Sequence, residues 1–251
     1  MNNGPPNRFA NLTYEDFRRF AKDTTMSQYE RIGFPDSYRK GKEGDILRDI
    51  RQKLPALDNT NKIIVDIGPG CSDLPRMLME HCGFQKHCLY LIDSKEMLDL
   101  LPDHDVVTKV AARFPECAEI CDALARKVDV ILSYSVLQYA LEGISFWRFL
   151  DSAVALLADG GRFLIGDLPN VSKRKRFFAS NSGRSFHMNF TGSNELPDVQ
   201  FNSLEPGQID DAVVLAILSR YRAAGYDTYV LPQLESAPMS NRREDILICK
   251  P

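Results

Sequence analysis

The stretch IIVDIGPGCSDL, residues 63–74, decides the fold. A short β-branched apolar run meets the acid Asp66, and a Gly-Pro-Gly turn follows, after which Ser72 and Asp73 open a helical pattern. A buried strand, a glycine-rich turn and a helix form the first unit of nucleotide-binding α/β folds. The stretch therefore predicts a ligand site at the carboxyl end of the first strand.

Four further apolar runs follow and alternate with helical patterns. They are HCLYLID at 87–93, DVVTKVA at 105–111, VDVILSY at 128–134 and GRFLIGD at 161–167. Near-continuous apolar runs are typical of strands that are buried on both faces of a parallel sheet. The regular alternation predicts right-handed βαβ units and a doubly wound, mostly parallel α/β sheet.

The C-terminal part adds two more strands. The runs YDTYVLPQL at 226–234 and EDILICKP at 244–251 follow a strong helical pattern and are separated by a polar segment. They are expected to pair antiparallel, which gives seven strands in all. The helix after the first strand is expected to end at Gly83, because glycine is common just beyond helix C termini.

Two segments lie outside this pattern. Residues 1–58 contain helical segments, one of which opens with a Ser27/Glu30 capping box, and predict a helical N-terminal extension or cap. Residues 59–251 form the α/β domain. Within it, residues 168–207 show little periodicity and predict a substrate-lid insert after strand five, since long irregular stretches are usually functional.

Composition limits the possible function classes. The chain has 251 residues, 44% hydrophobic and 26% charged, with a net charge of −3, so it is globular and nothing global favours nucleic acid. No apolar run suggests a membrane span, and the N terminus lacks a signal-peptide core. The six cysteines then indicate reduced thiols and a cytoplasmic location. The His-Cys pairs within residues 81–88 are expected to point apart, so no metal site is predicted.

Two acids specify the ligand. A dinucleotide turn places a third glycine where this sequence has Asp73, and a carboxylate at a helix start would repel a diphosphate. A cationic or zwitterionic ligand avoids that repulsion, which favours S-adenosylmethionine with its ammonium and sulfonium. Asp93 ends the second strand, where an acid can accept hydrogen bonds from both ribose hydroxyls.

These motifs resemble the class I S-adenosylmethionine-dependent methyltransferases over roughly residues 60–250. VDIGPG and LIDSKEML carry the resemblance best, and VDVILSYSVLQY and LLADGGRFLIGD support it. The resemblance implies that S-adenosylmethionine is bound, with S-adenosylhomocysteine as product, and that the loops after strands one to four hold its methionine, ribose, adenine and methyl-donor parts. The implied residues are Asp66, Gly68, Pro69, Gly70, Asp73, Asp93, Ser94, Arg113, Phe114, Ser133, Tyr134 and Ser135.

The segment FPDSYRKGKEGDI, residues 34–46, is a second source of cofactor contacts. It lies just ahead of the sheet and could close over the cofactor. Tyr38 and Lys42 are expected to bind it, with Arg39 or Lys42 meeting its carboxylate.

Methyl transfer to a hydroxyl needs a general base. Asp167 ends strand five at the same mouth and is the first candidate; it could instead cap the DLPN turn. His187 in the insert is the second, because histidine exchanges protons near neutral pH, although it could be an ordinary loop residue. The DLPN sequence lacks the second proline and the aromatic residue of the signature found in amino-methylating nucleic acid enzymes. It also follows strand five and not strand four, so methylation of nucleic acid is disfavoured.

The substrate is predicted only as a class. The basic run SKRKRFF at 172–178, with Arg184, could hold phosphates of an anionic substrate or simply form a solvated face. The hypothesis is methylation of a small polar metabolite, which could bear phosphate, with O-methylation of a sugar or sugar nucleotide as its finer form. A non-catalytic cofactor-binding protein with a partner-binding lid is the alternative, and an NAD(P)-dependent oxidoreductase is disfavoured by Asp73. A homodimer is left open.

Overall fold

One seven-stranded sheet organises the chain. The computed structural model describes residues 8–9, 12–141, 146–203 and 205–251. The strand order is β3-β2-β1-β4-β5-β7-β6, with β7 antiparallel to both of its neighbours and the other strands parallel. The predicted doubly wound α/β fold is confirmed. The strands are β1 (Ile63–Ile67), β2 (Cys88–Asp93), β3 (Val107–Ala111), β4 (Val128–Tyr134), β5 (Leu157–Pro169), β6 (Asp227–Leu231) and β7 (Arg243–Cys249).

Helices cover both faces of the sheet. The helices are α1 (Tyr14–Lys22), α2 (Gln28–Arg31), α3 (Asp36–Arg39), α4 (Glu43–Lys53), α5 (Asp73–Gln85), α6 (Lys95–Leu98), α7 (Ala118–Leu124), α8 (Phe146–Ala155), α9 (Val171–Ala179), α10 (Asn181–Thr191) and α11 (Asp211–Ala223), with 3-10 turns at Pro55–Asp58 and Leu137–Leu141. One apolar cluster packs α4 and α5 on the sheet, and another packs α8 and α11 on its other face. Within the described ranges, no helix has the length and apolar character to cross a bilayer.

Helix α2 begins where its capping box predicts. Ser27 caps α2 by accepting from the Glu30 amide, while the Glu30 side chain accepts from the Ser27 amide. Ile46 and Ile50 of α4 are fully buried against the sheet, so this helix is part of the main core. A domain boundary near residue 58 stays a prediction.

The insert after β5 is more regular than expected. The prediction of little regular structure over residues 168–207 is wrong for its first half, which forms α9 and α10. Asn170 and Ser180 cap these helices by accepting from the amides of Lys173 and Gly183. Mixed aromatic and basic residues hide the helical period there, whereas the capping residues were visible in the sequence.

The end of α5 also differs from the prediction. The helix passes Gly83 and ends at Gln85, with Lys86 in the left-handed conformation as its C-cap. A Cβ at residue 83 would lie 2.6 Å from the His104 ring, so this glycine serves close packing and does not end the helix.

Candidate functional site

The cleft lies where the strand order reverses, between β1 and β4. In open α/β sheets this switch point, at the carboxyl ends of the strands, is where ligands bind. The loops after β1, β2, β3 and β4 form its floor and sides, and the N-terminal helices cover it. Its main lining residues are Tyr14, Phe17, Ile32, Phe34, Arg39, Asp66, Gly68, Pro69, Gly70, Ser72, Asp93, Arg113, Phe114, Tyr134, Ser135, Val136 and Tyr139.

The glycine turn requires glycine for two reasons. Gly68 and Gly70 have φ angles of +73° and +67°, which L side chains adopt at a cost. A Cβ at residue 68 would lie 2.6 Å from Val136 Cγ2, and one at residue 70 would lie 2.5 Å from Ile32 Cγ2. The turn therefore brings the backbone of β1 close to both the β4 loop and the N-terminal segment, and it narrows the cleft there.

Asp66 offers a carboxylate that the protein itself leaves unbonded. Its side chain is 3% exposed and lines the cleft, yet it makes no hydrogen bond with any described residue. Burial, and to a lesser extent the nearby Asp93, raise its pKa to about 8. A ligand cation would return this carboxyl to its charged form, because an opposite charge favours ionisation.

Asp93 shapes the cleft and also faces it. Its Oδ2 accepts from the Gly70 amide at 3.0 Å, and its Oδ1 accepts from the Ser94 amide at 2.6 Å. Burial raises its pKa to about 6 against the effect of these two donors. Ser94 caps α6, with its Oγ accepting from the Met97 amide at 3.3 Å, and does not line the cleft.

Asp73 binds the N-terminal segment of its own chain. Its Oδ2 accepts from Gln28 Nε2 at 2.9 Å and from the Tyr29 hydroxyl at 2.8 Å, and it lies outside the cleft lining. The negative charge still stands at the start of α5, as the argument against a diphosphate requires. Its bonds, however, hold α2 in place, a function that the sequence pattern did not indicate.

Arg39 is the cation that the N-terminal segment brings to the cleft. It is 4% exposed, its Nη2 donates to Ser135 Oγ at 3.2 Å, and its guanidinium lies 4.6 Å from the ring centre of Phe34. Its buried Nε has no partner among the described residues. Arg39 lines the cleft, whereas Lys42, the other cation expected here, does not. Tyr38, which was also expected to bind the cofactor, lies outside the cleft lining as well.

Asp167 is connected to the cleft through Ser135. Its Oδ2 accepts from Ser135 Oγ at 2.5 Å and from Arg243 Nη1 at 2.7 Å, and Gln233 Nε2 lies 3.4 Å from its Oδ1. Asp167 itself is buried and does not line the cleft, whereas Ser135 does. Both residues have positive φ, +56° and +63°, the kind of local strain that clusters at functional sites.

His187 lies on the insert and not in the cleft. It is on α10, and its ring meets Phe178 edge-on with centroids 6.0 Å apart. Ser133, inside β4, is fully buried and also lies outside the cleft lining. By contrast, Arg113 and Phe114 line the cleft, and their contact with the cofactor stays a prediction.

Helix α1 covers the cleft with two aromatic residues that the sequence analysis did not select. Tyr14 lies under the Arg113 guanidinium at 5.4 Å, and Phe17 meets Tyr139 edge-on at 4.8 Å between ring centres. Burial and the charge of Asp93 raise the pKa of Tyr14 to about 12. The three-residue spacing of these aromatics on one helix face was visible, but not what the face would cover.

Comparisons with known proteins agree with this geometry. No protein-family model and no curated protein matches the sequence. A Listeria monocytogenes structure described as an S-adenosylmethionine-dependent methyltransferase is 20% identical, with a TM-score of 0.53 over 83% of this chain and 99% of the other. The plantazolicin methyltransferase BamL, solved with a triazolic desmethylPZN analog and S-adenosylhomocysteine (SAH), is 11% identical, with a TM-score of 0.56 over 94% of this chain and 96% of the other.

An archaeal complex gives a third match. The Haloferax volcanii structure of the Trm112 methyltransferase activator with a methyltransferase is 14% identical, with a TM-score of 0.55 over 94% of this chain and 98% of the other. Each of the three matches covers more than four fifths of this chain. The chain therefore has the class I S-adenosylmethionine-dependent methyltransferase fold, as its motifs predicted.

Proposed function

We propose that this chain is an S-adenosylmethionine-dependent methyltransferase that acts on a small polar metabolite. The observation that carries the proposal is the unbonded, buried carboxylate of Asp66 beside the glycine turn. On the roof of the same cleft, Arg39 supplies a buried guanidinium with an unpaired Nε. An acid and a cation in one cleft fit the ammonium and carboxylate of an amino acid, which the methionine end of the cofactor carries.

The remaining cleft residues fit the other parts of the cofactor. Asp93 would accept hydrogen bonds from the ribose hydroxyls, and Phe114 and Arg113 would contact the adenine. When bound, the cofactor supplies a methyl group on a positively charged sulfur, which an aligned nucleophile can displace. The methyltransferase of the BamL structure, with SAH bound, supports this assignment.

Ser135 and Asp167 offer a route for the proton of a hydroxyl acceptor. Ser135 Oγ would take that proton while passing its own to Asp167 Oδ2, to which it is already hydrogen-bonded. O-methylation of a sugar or sugar nucleotide rests on this relay, whereas an amine acceptor needs only orientation. A role for His187 stays a prediction.

Calorimetry tests the cofactor assignment. We expect SAH to bind with one-to-one stoichiometry, and NAD to show no binding under the same conditions. Asp66→Asn should weaken SAH binding at least tenfold, whereas Asp198→Asn, at an exposed position in the insert, should leave it unchanged. Binding of NAD without SAH would refute the proposal.

Turnover tests catalysis separately from binding. Wild-type protein and Asp167→Asn would be incubated with labelled S-adenosylmethionine and a panel of sugars, sugar nucleotides and amines. We expect transfer by the wild type, and a large loss in Asp167→Asn for hydroxyl acceptors only. Tight SAH binding with no transfer to any acceptor would favour the non-catalytic alternative.

A further inference from the structure

Arg242 is a cation that has no acidic partner among the described residues. It is half-buried just before β7, and its guanidinium carbon lies 5.4 Å from the ring centre of Phe186 and 5.9 Å from that of Phe178. Its side chain donates to Asn241 Oδ1 at 3.4 Å, a long contact. Within the described part of the chain, no carboxylate lies within 4.0 Å of it.

The groups around Arg242 make this site attractive to an anion. Its charged neighbours are Arg243 on the same strand and Arg174 on α9, and the Tyr38 hydroxyl faces it from α3. Burial first, and then these two cations, lower its pKa. The two neighbouring cations have acidic partners of their own, since Arg174 pairs with Glu205 at 2.9 Å and Arg243 pairs with Asp167 at 2.7 Å. A half-buried cation in this setting is stabilised when an anion binds.

Arg242 is adjacent to the wall of the cleft. Arg243, the next residue, lies 5.4 Å from the ring centre of Phe34, which lines the cleft and stacks under Arg39. Tyr38 and Arg39 are consecutive in α3, so one short helix contacts both the cleft and the surroundings of Arg242. An acceptor that extends from the cleft past Phe34 would meet this guanidinium.

We propose that Arg242, held between Phe178 and Phe186, binds an oxyanion of the methyl acceptor, either a phosphate or a carboxylate. The inference rests on the proposed methyltransferase function, because it names the chemistry of that enzyme's substrate. Guanidinium groups bind both oxyanions in bidentate fashion, and the flanking rings restrict the plane of this one.

The basic run suggested by the sequence is a weaker candidate for this role. Arg174 and Lys175 both pair with Glu205, at 2.9 and 3.0 Å, and Arg176 pairs with Asp211. These cations already have acidic partners on the insert and on α11. An incoming phosphate would have to compete with those carboxylates, whereas at Arg242 it would not.

The test measures binding of inorganic pyrophosphate and of malonate by calorimetry at constant ionic strength, with and without SAH. Arg242→Gln should weaken binding of the preferred anion at least tenfold while SAH affinity stays within twofold. Arg174→Gln is the matched control, since it removes a nearby cation that already has a partner, and should change anion binding less than threefold.

The outcomes separate the possibilities. Preference for pyrophosphate over malonate would support a phosphate-bearing acceptor, and the reverse preference would support a carboxylate-bearing one. Equal anion binding by wild type and Arg242→Gln, or a larger loss in Arg174→Gln, would overturn the proposal. If the wild type did not bind SAH, the result would instead count against the proposed function. Anion binding measured without SAH would still test the role of Arg242.

Discussion

The carboxyl of Asp66 is expected to hold its proton in the folded, ligand-free protein at pH values where the unfolded chain releases it. Its ordinary pKa of 3.8 rises to about 8 on folding. Between these values the unfolded state binds fewer protons than the folded state, so stability falls as pH rises through this window. Asp66→Asn removes that penalty. We therefore predict a higher melting temperature than wild type at pH 8, and a similar one at pH 4, by calorimetry without ligand.

The same variant should lose the cofactor, so stability and binding move in opposite directions. Asp198→Asn, exposed on the insert, controls for the general effect of removing one negative charge. If Asp66→Asn melted below wild type at pH 8 and still bound SAH, the acid would have a structural role instead. Such a trade between stability and function is common at active sites.

Gly68 allows a second prediction with a matched control. Gly68 and Gly160 both have positive φ, +73° and +77°, but a Cβ at 68 meets Val136 whereas one at 160 meets nothing within 4 Å. Backbone strain should lower the free energy of unfolding of both alanine variants by about 1 kcal/mol. In urea denaturation, only Gly68→Ala should lower the free energy of unfolding by more than this amount. It should also weaken SAH binding. Equal losses in both variants, with SAH affinity unchanged, would show that the turn does not need close approach.

The residues of the cleft could be predicted from the sequence where a local sequence pattern fixes their positions relative to one another. Asp66, Gly68 and Gly70 lie in one turn, so their meeting in the cleft follows from the strand-turn-helix order. Arg39 and Lys42 could not be separated, because which cation faces inward depends on how a short helix is rotated. The bonds of Asp73 to Gln28 and Tyr29 span more than 40 residues, and no sequence pattern indicates them.

At the scale of elements, Glu96 on α6 forms ion pairs that help to hold helix α1 over the cleft. Glu96 is bonded by Arg18 at 2.8 Å and by Lys22 at 3.0 Å, and these bonds lower its pKa to about 2. Glu96→Gln should speed SAH dissociation a few-fold in stopped-flow measurements, because α1 covers the bound ligand. The loss of stability should be under about 1 kcal/mol, since exposed ion pairs contribute little.

Asp99→Asn provides the comparison for that experiment. Asp99 pairs with Lys95 at 2.7 Å next to the same helix and forms no ion pair with a described residue of α1. Its variant should leave the dissociation rate of SAH unchanged. Equal acceleration in both variants would show that charge near α6, and not the link to α1, controls release.

The insert shows why element prediction failed where it did. Helices α9 and α10 have no clear apolar stripe. Phe177, Phe178 and Phe186 pack against one another, and Arg242 lies over the rings of Phe178 and Phe186. A helix that packs mainly on its neighbour does not show the periodicity of one that covers a core. The caps at Asn170 and Ser180 were the available signal.

At the scale of the molecule, the fold was predictable because parallel strands buried on both faces leave long apolar runs. The alternation of these runs with helices fixes the architecture, and the two C-terminal runs fix the antiparallel addition. The cover of the cleft was not predictable in the same way. It joins residues of α1 and α3 to loops about 100 positions away, as in the bond from Arg39 to Ser135.

A buried charge network joins helix α4 in the N-terminal part of the chain to strand β7 in its C-terminal part. Asp245 on β7 is fully buried; its Oδ2 accepts from Lys53 at 2.7 Å and its Oδ1 from the Asp167 amide at 2.8 Å. Lys53 also donates to Asp49 at 2.6 Å, so the network links α4, β5 and β7.

Asp245→Ala should therefore destabilise the protein by about 3 kcal/mol, the lower end for breaking a buried ion pair, because Lys53 keeps Asp49 as a partner. Urea denaturation would measure this loss. Asp159→Ala, which removes the exposed partner of Lys250, should leave the urea midpoint almost unchanged. Since Asp245 also fixes the Asp167 backbone, the buried variant should weaken SAH binding through Ser135 as well. Equal stability losses in the two variants would mean that the network does not hold the N-terminal and C-terminal parts together.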